Sequence, residues 1–245
     1  MRILYQLTSP MQHTLGAGEI ARRQLILAAH AAAGTEVAVE PTDSGPAAIE
    51  SARDAGLIVP ELIRLGPRAE QRGFAALIIG CYSDPGLDAL RELVAIPVVG
   101  PGAAALHLAA QLGTRIGILT PRDRGLGRVA ARLRALGLAQ LLAGVRGIGL
   151  SVIELARQEP GALEAAAAAA RLAVHEDGAD VLVLGCMSMA FLPDVTRRLG
   201  AEVGVPVVNP VIAALKTAEA LAAMALAHSK RAWPVPKPPA ARTVA

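Results

Sequence analysis

The chain contains two cysteines, and each one ends a nearly identical phrase. Residues 76–81 and residues 180–186 both form an aliphatic run that stops on a Gly-Cys pair. The sequence after each cysteine also repeats, because residues 96–99 (Ile-Pro-Val-Val) come after the first and residues 205–208 (Val-Pro-Val-Val) after the second. Runs that are apolar on both faces are typical of buried parallel strands. The repetition therefore predicts a duplicated unit that places one thiol at the same point in each half.

The repeat extends to the beginning of each half. Residues 2–8 resemble residues 115–120, and both segments read as a strand that ends on threonine shortly before a proline. Strand-like runs alternate with helix-length segments along the chain, which indicates an α/β architecture. The predicted strands cover residues 3–7, 36–39, 76–79, 98–99, 116–119, 181–184 and 207–208. The predicted helices cover residues 18–33, 46–72, 87–93, 103–112, 124–136, 161–176, 193–203 and 211–227.

These patterns predict an α/β fold of two pseudo-symmetric lobes, each a parallel sheet flanked by helices. Ligands of such sheets bind beyond the carboxyl ends of the strands, so the active site is expected in the cleft between the lobes. The first lobe is predicted to span residues 1–100 together with 211–228, and the second residues 101–210. Residues 229–245 form a proline-rich tail that cannot be helix or inner strand, and we expect a loose end or an arm on a neighbouring subunit.

Composition narrows the class of partner. Hydrophobic residues make up 53% of the chain and charged residues 18%, so a sizeable core is expected. The net charge is +3, and the basic residues are scattered in pairs such as Arg22-Arg23, which we assign to solvated helix faces. Nucleic acid is therefore disfavoured as a partner. A membrane is disfavoured too, because the longest uncharged run, residues 93–114, is broken by prolines and glycines. Two cysteines without an export signal indicate reduced thiols in the cytoplasm.

A matched pair of thiols facing one cleft can remove a proton from one face of a carbon and return one to the other. Asp84 is predicted to cap a helix whose first position is Pro85. The free amides of that helix would lower the pKa of the Cys81 thiol from about 8.5 toward neutrality and would hold an enolate oxygen. The alternative is that both cysteines are ordinary buried residues, since free cysteine is among the most buried residue types.

Hydroxyl groups near the predicted strand ends are further candidates. Thr8, Ser9 and Thr120 end strands on the cleft side, and Ser83 and Ser188 each lie two residues after a cysteine. The first three hydroxyls either bind the substrate or cap the next helix, and the two serines are further candidate ligands. The five histidines fall in no metal-like spacing, and Gly16 and Gly18 lack the full dinucleotide-binding pattern. Chemistry without a metal or an organic cofactor is the simplest interpretation.

Five short motifs together resemble a known family. They are residues 80–87 (Gly-Cys-Tyr-Ser-Asp-Pro-Gly-Leu), 91–92, 97–100, 185–189 and 206–208. In these motifs, and over nearly the whole chain apart from the tail, the sequence resembles the aspartate/glutamate/hydantoin racemase superfamily, and within it the hydantoin and allantoin racemase branch. The resemblance implies a two-lobed fold, a small-molecule substrate, a homo-oligomer and cofactor-independent 1,1-proton transfer. It also implies that Cys81 and Cys186 are the acid–base residues, one as thiolate and the other as thiol. The residues expected to bind substrate are Thr8, Ser9, Tyr82, Ser83, Asp84, Thr120, Met187, Ser188 and Asn209.

Two positions depart from the family pattern. Members that resemble this chain begin with a strand that ends in Asn-Pro-Asn-Thr, whereas residues 5–10 here read Tyr-Gln-Leu-Thr-Ser-Pro. Asn209 lies where an aspartate is common. Both differences bear on the substrate more than on the proton transfer.

Four functions are compatible with these residues. The first is a racemase of 5-substituted hydantoins or a related cyclic ureide. The second keeps the fold and the thiols but acts on a free acid, as an aspartate or glutamate racemase or a maleate-type isomerase. The motifs offer hydroxyls and amides and no obvious arginine, which favours the neutral ring. The third is a two-lobed small-molecule-binding protein without turnover, and the fourth is a redox pair formed by the two thiols.

Overall fold

The structure, a computed structural model, describes residues 1–123 and 126–237. The elements of the first half are β1 (Arg2–Leu7), α1 (Met11–Thr14), α2 (Ala17–His30), β2 (Glu36–Glu40), α3 (Ala52–Gln71), β3 (Ala76–Gly80), α4 (Leu87–Leu93), β4 (Val98–Val99) and α5 (Pro101–Ala109). Those of the second half are β5 (Ile116–Thr120), α6 (Leu126–Ala135), a 3-10 turn (Ala139–Leu141), β6 (Leu142–Gly147), α7 (Val152–Ala156), α8 (Ala162–His175), β7 (Val181–Leu184), α9 (Met187–Ala190), α10 (Val195–Val203), β8 (Val207–Val208) and α11 (Pro210–Ala223).

Two parallel sheets with the same strand order form the frame of the chain. The first sheet runs β2-β1-β3-β4 and the second β6-β5-β7-β8. In the first, Tyr5 pairs with Ile78, and at the equivalent place in the second, Ile118 pairs with Val183. The central strands β3 and β7 are buried along their whole length, as expected of parallel strands covered by helices on both faces. The predicted α/β fold of two pseudo-symmetric lobes is therefore confirmed.

The glycine before each cysteine is required by close packing at the strand ends. A Cβ atom on Gly80 would lie 2.7 Å from the carbonyl oxygen of Gln6 in β1. A Cβ atom on Gly185 would lie at the same distance, 2.7 Å, from the carbonyl oxygen of Leu119 in β5. Both contacts are with backbone atoms, which cannot move aside as a flexible side chain would. The repeated Gly-Cys phrase thus reflects one steric requirement that occurs in both lobes.

Two helices link the lobes by packing on each other's sheets. Helix α5 follows the first sheet, yet it contacts β7 and β8 of the second as well as β3. Helix α11 follows the second sheet and packs on β3 and β4 of the first, and it also packs along α5. One continuous apolar core consequently runs through both lobes, and a smaller core lies between the first sheet and helices α3 and α4. The residue ranges predicted for the two lobes stay a proposal.

All seven predicted strands occur within one residue of their predicted ends, and the described residues contain one further strand that was not predicted. That strand, β6, contains two glycines and an arginine, and all six of its residues are only partly buried because it lies at the edge of the sheet. The helix predicted to begin at residue 46 begins instead at Ala52, because the Ser51 side chain accepts a hydrogen bond from the Asp54 amide and caps it. The first two residues of the helix predicted at 124–136 lie outside the described residues.

The first part of the tail is not a loose end. Lys230 donates hydrogen bonds to the carbonyl groups at the end of α4, those of Arg91, Glu92 and Val94. The indole of Trp233 donates to Asp88 at 3.0 Å, and the Arg91 guanidinium lies 4.9 Å above its ring. The tail is therefore held against the chain's own first lobe as far as Trp233, and residues 238–245 lie outside the described residues. Within the described ranges, every helix is too short or too polar to span a membrane.

The glycine contact predicts the stability of one pair of variants. Gly185→Ala should lower the free energy of unfolding by about 1–3 kcal/mol, because the added methyl group must push β7 away from β5. Gly56→Ala is the matched control, since its Cβ atom would meet open space within α3. That change should raise the free energy of unfolding by up to about 1 kcal/mol. Urea denaturation measures both, and equal stability of the Gly185 variant and the unaltered protein would contradict the steric requirement.

Candidate active site

A cavity of about 680 Å³ lies between the carboxyl ends of the two sheets. Both cysteines line it, one from each lobe. The segment 47–52 closes it on the side of the first lobe, and residues Val152, Ile153 and Ala156 of α7 close it on the side of the second. Glu50 joins the two walls, because its carboxylate accepts a hydrogen bond from the Val152 amide at 2.8 Å. The cavity is thus enclosed by both lobes and receives one thiol from each.

Cys81 comes directly after β3 and is partly buried. Its sulfur lies 3.2 Å from the hydroxyl oxygen of Ser83, which is within hydrogen-bonding distance. Burial raises the pKa of the Cys81 thiol above its ordinary value, and the contact with Ser83 opposes this only in part. The Asp84 carboxylate raises the pKa further, and the Arg132 guanidinium lowers it. The resting group is therefore a neutral thiol at neutral pH.

Cys186 comes directly after Gly185 at the end of β7 and precedes the short helix α9. Burial raises the pKa of its thiol to about 11, although the backbone amides of Met189 and Ser188 act in the opposite direction. A negative charge on Cys81 raises the pKa of Cys186 further, so ionisation of one thiol disfavours ionisation of the other. When one thiol of the pair is ionised, the other is thus held in its protonated form.

The helix terminus predicted beside Cys81 is not there. Helix α4 begins at Leu87 rather than Pro85, and Gly86, with a φ of 71°, precedes it. The Asp84 carboxylate instead accepts hydrogen bonds from the amides of Gly102 and Ala103, both at 3.0 Å, in the first turn of α5. The expected lowering of the Cys81 pKa by helix amides was wrong, and burial moves that pKa in the opposite direction.

Arg132 reaches from α6 of the second lobe to the loop that follows Cys81. Its guanidinium forms an ion pair with Asp84, whose side chain is 5% exposed, and donates a hydrogen bond to the Tyr82 carbonyl at 2.7 Å. The same guanidinium lies 5.4 Å from the centre of the Tyr82 ring. One side chain of the second lobe thereby contacts three groups of the loop that follows Cys81: the Tyr82 carbonyl, the Tyr82 ring and the Asp84 carboxylate.

The structure brings most of the predicted residues to the cavity. Those that line it together with the two cysteines are Thr8, Ser9, Tyr82, Ser83, Thr120, Met187 and Ser188. The Thr120 hydroxyl donates to the Arg122 carbonyl at 3.0 Å, so its proton is already used within its own loop.

Two predicted ligands are placed elsewhere. Asp84 is occupied by the first amides of α5 and by Arg132. Asn209 caps α11, because its side-chain oxygen accepts from the amides of Val211 and Ile212 at 2.9 and 3.3 Å. Its side-chain nitrogen donates to the Ala190 carbonyl at 2.9 Å, so both ends of the amide are occupied by protein groups. Both side chains serve the structure around the site.

Arg23 is one of four arginines that line the cavity and that the sequence interpretation missed, the others being Arg122, Arg128 and Arg132 of the second lobe. It was assigned to a solvated helix face, but it is 3% exposed and lines the cavity. Its guanidinium lies 2.7 Å from the Glu19 carboxylate, donates to the Ser188 hydroxyl at 3.3 Å and stacks 4.7 Å from the centre of the Phe191 ring. The spacing of Glu19 and Arg23, one helical turn apart, is the signal that could have found it. The expectation of no arginine near the thiols was wrong.

The described residues contain no group of three or more histidine, cysteine, aspartate or glutamate side chains that could hold a metal ion. The polar groups that line the cavity include the two thiols, several hydroxyls, the carboxylates of Glu50 and Asp54, and the guanidinium groups of Arg23, Arg122, Arg128 and Arg132.

Comparisons of the sequence and of the structure with known proteins point to the same family. The sequence profile described as Asp/Glu/Hydantoin racemase matches residues 20–218. A hydantoin racemase of Paenarthrobacter aurescens is 38% identical over 200 residues, which are 81% of this chain and 84% of that protein. The structure of an allantoin racemase from Pseudomonas fluorescens matches with a TM-score of 0.88 and 32% identity, covering 98% of this chain and 99% of that one. An allantoin racemase from Klebsiella pneumoniae matches with a TM-score of 0.87 and 31% identity, covering 97% and 94%.

The Arg132 clamp predicts a large effect of a single substitution. Arg132→Met should lower the free energy of unfolding by about 3–5 kcal/mol, because it leaves the buried Asp84 carboxylate without its countercharge. Arg171→Met is the matched control, since Arg171 pairs with Glu202 on the surface, where the two side chains are 49% and 38% exposed. Its expected cost is about 0–1 kcal/mol. Urea denaturation compares the two, and similar losses in both variants would count against the clamp.

Proposed function

The chain belongs to the Asp/Glu/hydantoin racemase family, and we propose that it racemises 5-substituted hydantoins or a related cyclic ureide with two thiols as acid and base. As a member of this family it is an isomerase, and the binding-protein alternative is set aside. The observation that carries the proposal is the position of the thiols: Cys81 and Cys186 end equivalent strands and line one cavity from opposite lobes. The names of the relatives, hydantoin racemase and allantoin racemase, support a ring of this class.

The proposed reaction moves one proton at each face of a single carbon. A thiolate on one side takes the C5 proton of the ring, and the electron pair passes into the adjacent carbonyl group as an enolate. The thiol on the other side then gives its proton to C5, so the product has the opposite configuration and the two sulfurs have exchanged their protonation states. Because the enolate carries the charge, a thiolate of modest basicity is sufficient.

The electrostatics of the cavity support one thiolate and one thiol at a time. Burial makes ionisation of either group unfavourable, and a charge on Cys81 raises the pKa of Cys186 further. A doubly ionised pair is thus suppressed, whereas the singly ionised pair has both the base and the acid that one turnover needs. The Arg23 guanidinium favours the charged form of Cys186.

The lining offers separate surroundings for the ring and its substituent. The hydroxyls of Ser83 and Ser188 lie on the two sides next to the thiols, where ring carbonyl and amide groups would meet them. Apolar side chains such as Ile49 and Ile153 also line the cavity and suit a C5 substituent. The volume of the cavity lies within the usual range of small-molecule sites, about 300–1,000 Å³.

A free-acid substrate is the second candidate, and Arg23 is the observation that favours it. A guanidinium in the lining could pair with a carboxylate, and the sequence interpretation had favoured the neutral ring because it expected no such group. Against this, the Arg23 charge is already paired with Glu19 at 2.7 Å. At Arg23 an incoming carboxylate would therefore meet a neutralised pair, although the exposed Arg128 also lines the cavity. We place the cyclic ureide first because the relatives are named hydantoin and allantoin racemases.

Exchange in D₂O tests the choice of substrate. L-5-benzylhydantoin and a single enantiomer of allantoin should each lose optical rotation faster than the spontaneous rate and gain one deuterium at the stereocentre, as read by mass spectrometry. L-Aspartate and L-glutamate are the comparison substrates. Exchange of the free acids without exchange of the ureides would replace the first candidate by the second.

Removal of either thiol should separate proton exchange from racemisation. Cys81→Ser and Cys186→Ser should each abolish racemisation, because one face loses its acid–base group. Each variant should still exchange the C5 proton of one enantiomer, and the two variants should prefer opposite enantiomers. Deuterium incorporation from each enantiomer measures this, and identical preferences in the two variants would contradict the two-base assignment.

The pKa directions predict an alkaline activity profile. Because burial raises the pKa of both thiols, the fraction of enzyme with one thiolate rises with pH, and so should kcat/KM. The midpoint should lie above the ordinary thiol value of about 8.5, and activity should fall again once both thiols are ionised. A pH series of kcat/KM checks this, and a profile that is already flat at neutral pH would contradict the buried neutral pair.

The homo-oligomer and the cytoplasmic location stay predictions.

A further inference from the structure

The loop after each cysteine is held by an arginine from the opposite lobe. Arg132 of α6 contacts the loop after Cys81. Arg23 of α2 contacts the loop after Cys186, where its guanidinium donates a hydrogen bond to the Ser188 hydroxyl at 3.3 Å. Helices α2 and α6 occupy equivalent places, because each lies between the first and the second strand of its sheet in chain order. The duplicated fold therefore makes the same kind of contact between the lobes twice.

The two loops differ in the surroundings of their serines. The Ser83 hydroxyl of the first loop lies 3.2 Å from the Cys81 sulfur. The Ser188 hydroxyl of the second loop is bound by Arg23 instead. A guanidinium has N–H groups and no acceptor, so the Ser188 oxygen accepts in this contact and the hydroxyl proton is left for another partner. In the part of the chain that the structure describes, no protein group accepts that proton.

The Arg23 guanidinium is fixed from three sides. Its Nε atom lies 2.7 Å from the Glu19 carboxylate, its Nη2 atom donates to Ser188, and its Cζ atom lies 4.7 Å from the centre of the Phe191 ring. Both Arg23 and Ser188 are buried, and both line the cavity. A hydroxyl oxygen that accepts a hydrogen bond from a cation becomes a stronger donor through its own proton. Ser188 is thus a polarised donor at the cavity wall.

We propose that Arg23 is a positioning residue that orients and polarises Ser188, and that the Ser188 hydroxyl donates a hydrogen bond to the enolate oxygen during turnover. This role rests on the proposed function, because the enolate is the intermediate of that reaction. As the C5 proton moves to a thiolate, the electron pair of the C–H bond passes to the adjacent carbonyl oxygen, and the hydrogen bond from Ser188 strengthens. The hydroxyl proton stays on Ser188, and the opposite thiol returns a proton to C5. A donor that meets more charge in the transition state than in the substrate raises kcat rather than affinity.

Ser188→Ala tests this by removing the hydroxyl alone. It should lower kcat about a hundredfold with little change in KM, as expected when one enolate donor is lost. The measurement is the initial loss of optical rotation of hydantoins deuterated at C5, which makes proton transfer the slow step. The loss should be smaller for 5-phenylhydantoin than for 5-isopropylhydantoin, because the phenyl ring shares the charge of the enolate. A merely structural role of the hydroxyl would lower both rates by the same factor.

Arg23→Gln tests the positioning role. The variant should lower kcat about tenfold, and Glu19 keeps a countercharge because Arg22 also pairs with it at 2.7 Å. Arg23→Lys, which keeps the charge, should lose less. Combined with Ser188→Ala, Arg23→Gln should cause no further loss, because Arg23 acts through the hydroxyl. Arg22→Gln is the matched control and should leave kcat unchanged, since Arg22 shares Glu19 but donates to the Phe191 carbonyl.

Four results would overturn the proposal. They are an unchanged kcat in Ser188→Ala, equal losses with the two hydantoins, additive losses in the double variant, and a loss in Arg22→Gln as large as that in Arg23→Gln. Additive losses would mean that Arg23 acts on Cys186 directly. Each of these results, obtained while the unaltered protein racemises the hydantoins, counts against this proposal alone. An unaltered protein that racemises neither hydantoin would overturn the proposed function and the role of Ser188 with it.

Discussion

The close approach of a strand end to the carbonyl group of its neighbour is the constraint on which the rest of the structure depends. At Gly80 and at Gly185 the backbone comes so near to the adjacent strand that no side chain fits. The next residue in each lobe is therefore carried to the same place at the end of the central strand. Since the two sheets share one order of strands, the same local contact made twice brings Cys81 and Cys186 to one cavity.

Burial gives those thiols their chemical character, and the charges nearby modify it. Dehydration keeps both sulfurs protonated in the resting protein, and mutual repulsion keeps the second one protonated after the first has ionised. The cations Arg23 of the first lobe and Arg132 of the second are each tied to a carboxylate. At these two positions the positive charge beside the thiols is therefore balanced, and Arg128 of the second lobe adds a further guanidinium to the lining.

Much of the frame could be predicted from the sequence, because strands buried on both faces leave an unmistakable apolar signature. The edge strand β6 left none, since it is only partly covered. The Asp84-Pro85 pair is typical of a helix start. The Asp84 carboxylate instead binds the first amides of α5 and pairs with Arg132, and no local sequence pattern reveals these contacts because both partners lie far along the chain. Arg23 was misread for the same reason, because its burial depends on Phe191 and Ser188, which lie far away in the sequence.

The difference between Tyr5 in one lobe and Ile118 at the equivalent place in the other has a thermodynamic consequence. The lobes are related by an approximate rotation and carry different residues, so the two enantiomers meet different surroundings. In an achiral solvent, however, the enantiomers have equal free energies, and the equilibrium constant between them is one. The ratio kcat/KM must then be identical in both directions, however unequal the two halves of the cavity are. The asymmetry can appear only in kcat and KM separately, where tighter binding of one enantiomer is matched by its slower turnover.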